Sequence, residues 1–411
     1  MRRPSTPALS PDDVGREGVE RPDLLARLAA AQAQRARDGL LRRVRAVESV
    51  DGARIVIGGK ALIDFASNDY LGLAQHPALR EAMAQAAKKW GAGAGAAHLL
   101  GGHRDEHAAL EEKLARWTGR ERALLFSTGY MANLGVLGAL LGADGVCVQD
   151  KLNHASLIDA ARLAGCELVR YRHADAASAR RQLSARPGAA AILATDAVFS
   201  MDGDVASLAD LSALCKTEGA LLMVDDAHGL GVLGADGAGS LDETGLTQDD
   251  APILMATLGK ALGVAGAFVA GSATLIDGLV QFARTYVYTT AMPPAFAAAA
   301  SVAVDIARDD GERRARLHRH IAQFRNGAQA RGIALMDSRT PIQPVPAGDS
   351  TTALAAAQRL EDAGFHVPAI RPPTVPANAA RLRVSLSAAH TESDIERLLD
   401  ALTVVLRTEW R

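Results

Sequence analysis

Seven short, almost continuously apolar runs punctuate the middle of the chain: RALLF (122–126), GVCVQ (145–149), ELVRY (167–171), AAILATD (190–196), ALLMVD (220–225), PILMAT (252–257) and GAFVAG (266–271). Helical patterns separate most of them. A strand with one wet face alternates apolar and polar side chains, whereas a strand covered by helices on both faces does not. The pattern therefore predicts an α/β fold with a large domain built on a mainly parallel sheet.

The character changes near residue 310. A charged helical stretch, GERRARLHRHIAQFRNGAQARG, leads to weaker strand patterns around 343–347, 366–369 and 381–386, then to a closing helix at about 391–407. We expect a large domain over 61–309 and a smaller α+β domain over 310–411, packed with an N-terminal helix (about 22–38) and strand segment over 21–60, after a flexible tail at 1–20. The uncharged run Thr285–Val304 has about the length of a membrane span, but YTT and MPP interrupt its first half. It reads as a turn followed by a buried, alanine-rich helix.

Composition narrows the partners. A 411-residue chain with 48% hydrophobic residues and a net charge of −2 has no global basic surface, so neither nucleic acid nor membrane is an expected partner. Cys147, Cys166 and Cys215 lack metal-ligand spacing, which predicts buried thiols, no metal site and a cytoplasmic location.

Two glycine clusters imitate a dinucleotide fingerprint and fail it. GLGVLG (229–234) follows a strand but is followed by ADGAGSLDETG, which cannot open the required helix; GAGAGAAHLLGG (91–102) follows a helical pattern instead of a strand. The strand ends are more informative, because open α/β sheets bind ligands there. MVDDAHG places Asp225, Asp226 and His228 at one such end, with Asp225 the better candidate to face the crevice. FSTGYMAN offers a helix N-terminus at Thr128–Tyr130 suited to a phosphate. NHASL brings His154, VFSMDGD brings Ser200, and TLGKALG brings Thr257 and Lys260. Each alone reads equally well as a cap or turn residue. Together they supply an amine, a carboxylate, a flat imidazole and an anion cradle, the set that pyridoxal 5′-phosphate requires.

The segments NDYLGL (68–73), STGYMAN (127–133), NHASLIDA (153–160), FSMDGD (199–204), VDDAHGLG (224–231), TLGKALG (257–263), YTTAMPP (288–294) and IRPPTVP (370–376) also resemble, in order and spacing, the α-oxoamine synthases, over about 40–405. VDDAHG and AIRPPTVP resemble most the branch that joins L-alanine to a pimeloyl thioester, on CoA or an acyl carrier protein, in biotin biosynthesis. The resemblance implies a pyridoxal-phosphate acyltransferase of the fold-type I aminotransferase class, working as a homodimer with a shared active site. It implies that Lys260 is the Schiff-base lysine, that Asp225 holds the ring nitrogen, that His154 stacks on the ring, and that His228 and Ser200 lie on the ring-oxygen side. Thr257, Gly129 and Tyr130 would hold the phosphate, with Thr289 or Thr290 reaching in from the second subunit.

By the same resemblance Arg383 would take the amino acid's carboxylate and Arg371 the far carboxylate of a dicarboxylic acyl chain, a task suited to the guanidinium fork. Arg42, Asn68 and Tyr288 are further substrate contacts. The loop 91–102 departs from the pattern: Ala94, Ala96 and Ala97 stand where many relatives carry serines, which bears on substrate preference, and His98 has no assigned role. Three alternatives stay open: an α-oxoamine synthase using glycine or serine with another acyl-CoA, an ordinary aminotransferase, and a catalytically silent subunit of the same fold.

Overall fold

The computed structural model describes residues 22–409; the tail expected at 1–20 lies outside them. Among the described residues, 22–44 form a unit of their own, with a helix over Leu24–Arg37 whose first turn is capped by Asp23, its carboxylate accepting from the N–H groups of Leu25 and Ala26. Everything from Arg45 onward forms the second unit.

The second unit is organised by a seven-stranded sheet: β1 (Arg122–Phe126), β2 (Gly145–Asp150), β3 (Glu167–Tyr171), β4 (Ala190–Asp196), β5 (Leu221–Asp225), β6 (Ile253–Thr257) and β7 (Ala267–Gly271). Their spatial order is β1-β7-β6-β5-β4-β2-β3. All pairings are parallel except those of β7, which runs antiparallel to both β1 and β6. The connection 258–266 is too short for a crossover, so β7 returns as a hairpin partner of β6.

The continuous apolar runs are explained by burial on both faces. Cys147, Ile192, Ala194, Met223 and Met255 enter one cluster with the helices Gly129–Leu140 and Ala155–Ala164. Their neighbours Val146, Val148, Leu193, Leu222, Val224 and Leu254 enter another, with the helices Ala176–Ser184 and Leu208–Glu218. The alanine-rich helix Pro294–Asp309 is buried along most of one side. Among the described residues no helix is long and apolar enough to cross a membrane.

Two smaller sheets complete the unit. One holds Ser49–Asp51, Arg54–Ile57, Lys60–Asp64 and Phe365–His366; the other holds Ile342–Gly348, Ala380–Ser385 and Ala369–Ile370. Because β4, β5 and β6 are parallel and in register, with Asp196 opposite Asp225 and Asp225 opposite Met255, their carboxyl ends deliver Asp196, Asp225 and Thr257 to one edge.

Candidate active site

That edge borders a cavity of about 180 Å³. Lys260 sits in the tight loop between β6 and β7, held by the Leu258 N–H donating to Gly266, Val264 donating to Leu258, and Gly263 donating back to the Lys260 carbonyl. Its amine lines the cavity and lies 2.8 Å from Nε2 of His228. Burial pushes the Lys260 amine down to about 8, although the carboxylates of Asp225 and Asp196 favour its charged form. Burial, reinforced by the nearby Lys260 and Arg383 charges, drives His228 well below the usual histidine range.

Asp225 lines the same cavity, while Asp226 turns away and accepts from Ser240, at 2.6 Å from the hydroxyl and 2.7 Å from the N–H. Burial pushes Asp226 up to about 7. Gly229, the first glycine of the false fingerprint, is needed for this contact: a Cβ there would lie 2.1 Å from Asp226 Oδ1. A hydrogen-bonded network joins the carboxylate to the imidazole across the cavity. Asn133 Nδ2 donates to Asp225 Oδ2 (2.9 Å) and to Ser156 Oγ (2.8 Å), and Ser156 Oγ lies 2.7 Å from His154 Nδ1. Asp196 Oδ2 accepts the His154 backbone N–H at 3.0 Å, which fixes the start of the helix carrying that imidazole. Burial beside the Asp225 charge raises Asp196 well above the carboxylate range, and its other oxygen has no hydrogen-bond partner.

The opposite wall carries Gly129 and Tyr130, the first turn of a helix whose Thr128 cap accepts from Met131. The N–H groups of such a turn have no intrahelical acceptor and attract anions. The Tyr130 hydroxyl bonds Asp159. Thr257 and Ser200 line the cavity as well. Of the remaining sequence candidates, Thr289 and Thr290 border a separate small cavity with His98, Ser127 and Tyr286. Tyr288 is exposed, its ring beneath the Arg284 guanidinium at 4.9 Å. Arg42 belongs to the N-terminal unit.

Arg383 is buried and spreads its fork over three acceptors: the Ser200 carbonyl (2.7 Å), Ser385 Oγ (2.8 Å) and Asn68 Oδ1 (3.1 Å). Arg381, two residues earlier on the same strand, pairs with Asp202 at 2.7 Å, so one strand staples both ends of the Ser200–Asp202 turn. Arg371 begins the loop whose Pro373–Pro376 segment lines a second cavity of about 560 Å³; the two cavities share His154 and Ser200 as walls.

The sequence profile of the aminotransferase class I and II family matches residues 60–402. The chain belongs to this family. Among aminotransferase-family relatives it is 55% identical to the 8-amino-7-oxononanoate synthase of Thioalkalivibrio sulfidiphilus, over 91% of this chain and 96% of that one. It is likewise 55% identical to the synthase of that name from Halorhodospira halophila, over 93% and 95%. In structure it is similar to a serine palmitoyltransferase from S. paucimobilis bound to a PLP–myriocin aldimine, with a TM-score of 0.90, 29% identity and coverage of 95% and 100%. The Francisella tularensis 8-amino-7-oxononanoate synthase superimposes with a TM-score of 0.75, at 30% identity over 85% of this chain and 99% of that one.

Within this aminotransferase-family site, sequence reading passed over Asn133, Asp196, Ser156 and Tyr70. Asn133 and Tyr70 lie within the motifs STGYMAN and NDYLGL, which give them no role by themselves. Asn133 falls one helical turn after Gly129, the only available hint that it returns to the cavity edge. Tyr70 carried no such signal.

Proposed function

We propose that the chain condenses L-alanine with a pimeloyl thioester, on CoA or on an acyl carrier protein, to give 8-amino-7-oxononanoate, CO2 and free thiol, using pyridoxal 5′-phosphate. The carrying observation is that Lys260, Asp225, His154 and the Gly129–Tyr130 helix start surround one cavity. This donor set fits the cofactor, and the unpartnered Asp196 oxygen on the cavity wall leaves room for a further polar contact. When bound, the cofactor supplies an electron-poor ring that withdraws charge from the substrate's Cα.

The chain's own groups divide the work. Lys260 Nζ would hold the cofactor's aldehyde carbon and, as a free amine, would take the Cα proton; its lowered basicity suits both tasks. Asp225, oriented by Asn133 and by the Ala227 N–H (3.1 Å), keeps a proton on the ring nitrogen. His154 would cover one ring face, His228 and Ser200 would meet the ring-oxygen side, and Gly129, Tyr130 and Thr257 would hold the phosphate. Arg383 receives the alanine carboxylate and Arg371 the far pimeloyl carboxylate. Thr289 and Thr290, set apart from the Lys260 cavity in their own chain, serve the neighbouring subunit of a homodimer. Three buried, free cysteines suit a cytoplasmic enzyme.

The higher TM-score with serine palmitoyltransferase favours a second reading, serine with a long acyl-CoA. Sequence identity of 55% against 29% weighs for the first. Thiol release with alanine, glycine or serine against pimeloyl-, acetyl-, succinyl- and palmitoyl-CoA separates them, with alanine and pimeloyl-CoA expected to win. Steady turnover by well-folded Lys260→Ala protein would overturn the site.

A further inference from the structure

A continuous hydrogen-bonded chain runs away from Lys260. Its Nζ lies 2.8 Å from His228 Nε2, His228 Nδ1 lies 2.7 Å from the Tyr70 hydroxyl, and that hydroxyl is 3.1 Å from Asn68 Oδ1, which also accepts from Arg383. Tyr70 has no exposed surface. The order of protons along this chain is set by its two ends. An ammonium at Lys260 can only donate, so Nε2 must accept and the imidazole proton sits on Nδ1. Nδ1–H then donates to the Tyr70 oxygen, and Tyr70 donates to Asn68, whose carbonyl oxygen can take this proton as well as that of Arg383. Every donor finds an acceptor in one direction only.

We infer that Tyr70 is a positioning residue that fixes the Nδ1–H form of His228 and thereby presents a lone pair to Lys260, coupling the lysine to the Asn68–Arg383 pair. This rests on the reading of Lys260 as the reacting amine. Tyr70 touches none of the reacting groups itself; it acts through the imidazole. The charged groups around the lysine and histidine are Asp225, Asp196 and Asp226 from the sheet edge, Arg383 from the small sheet, and the His154 imidazole. Among the described residues no carboxylate is hydrogen-bonded to the His228 ring, so the tyrosine hydroxyl is the group that reads its far nitrogen.

The test uses the full chain without cofactor, so that the amine is free. In protein labelled with 15N-histidine, the His228 signals, identified by their loss in His228→Gln, should show a protonated Nδ1 and an unprotonated Nε2 at pH 7. In Tyr70→Phe the buried Nδ1–H loses its acceptor, which favours the opposite tautomer; its Nε2–H can bond only to a neutral amine, so inversion and loss of the Lys260 proton are coupled. The condensation rate of Lys260 with pyridoxal phosphate should then reach its alkaline plateau about one pH unit lower, a roughly fivefold gain in neutral amine at pH 7. A purely structural role gives the opposite sign, because water admitted by a loosened site restores the lysine toward its ordinary value. Protonated Nε2 in the wild-type chain, an unchanged tautomer in Tyr70→Phe, or a plateau moved to higher pH would each overturn the inference. The wild-type spectrum decides even if Tyr70→Phe does not fold. Loss of turnover in Lys260→Ala alongside any of these results would leave the functional reading standing and remove only the role of Tyr70.

Discussion

The amine at position 260 makes the sharpest quantitative prediction. Burial lowers it from the ordinary 10.5 to about 8. At pH 7 about a tenth of it is then neutral, roughly 300-fold more than an unperturbed lysine offers, and only the neutral amine attacks an aldehyde. Mixing cofactor-free protein with pyridoxal phosphate and following the absorbance of the new imine should give a rate that climbs tenfold per pH unit up to about pH 8 and is flat above it. Lys260→Ala should show only slow, unsaturable labelling of surface lysines. The same shift has a cost in stability. The unfolded chain binds the proton more tightly, so the ammonium destabilises the fold below pH 8, and stability recovers as pH rises from 8 toward 10.5. Lys260→Met should accordingly be more stable than wild type at pH 7, with the gap narrowing above pH 8. A condensation rate still rising tenfold per unit at pH 10 would refute the argument, since it would mean the lysine is solvated like any other.

Four further outcomes follow from the geometry. Arg383→Lys cannot reach Ser200, Ser385 and Asn68 together, so kcat/KM for alanine should fall by about 2 kcal/mol, some 30-fold, chiefly through KM, as steady-state kinetics would read it. Gly229→Ala drives a methyl into Asp226 and should cost about 2–3 kcal/mol in urea unfolding. His173 bridges Asp150 (3.0 Å) and Asp204 (2.8 Å), and these carboxylates raise it to about 10 against the burial that opposes them. Its folded value exceeds its unfolded one, so its contribution is complete below pH 6.5 and lost as pH climbs toward 10; His173→Gln should flatten that slope, removing about 2 kcal/mol at pH 6 after allowance for solvent screening. Asn133→Leu leaves the Asp225 carboxylate without its amide donor and should weaken cofactor retention about tenfold on dilution, measured by release of bound absorbance.

Much of the sheet was legible because burial on both faces imposes a local signature: each of the seven strands falls within about a residue of its apolar run. The chemical groups were legible for a related reason. A parallel sheet collects its strand ends on one edge, so residues following apolar runs become neighbours by topology alone, as Asp225, Ser200, Thr257 and Lys260 do.

What the linear order could not decide is partnership across long separations. Tyr70 and His228 are 158 positions apart, and Asn68 and Arg383 are 315 apart. Local pattern carries no information about such pairs, because their meeting depends on how two sheets pack. The three histidines at 98, 103 and 107 illustrate the same limit. His98 has no role legible in the sequence, yet the three pack with ring centroids 5.2–5.4 Å apart, and burial lowers His98 to about 3. Composition and periodicity by themselves determined which segments are strands and which residues arrive at their ends. The strand pattern already favoured Asp225 over Asp226 for the cavity; tertiary packing alone decided that Asp226 is consumed by Ser240 and that a buried tyrosine stands behind the histidine beside Lys260. The reason is physical: strand identity is set by the solvent exposure of a few consecutive residues, whereas side-chain direction at a strand end is set by whatever acceptors and voids the rest of the chain leaves there.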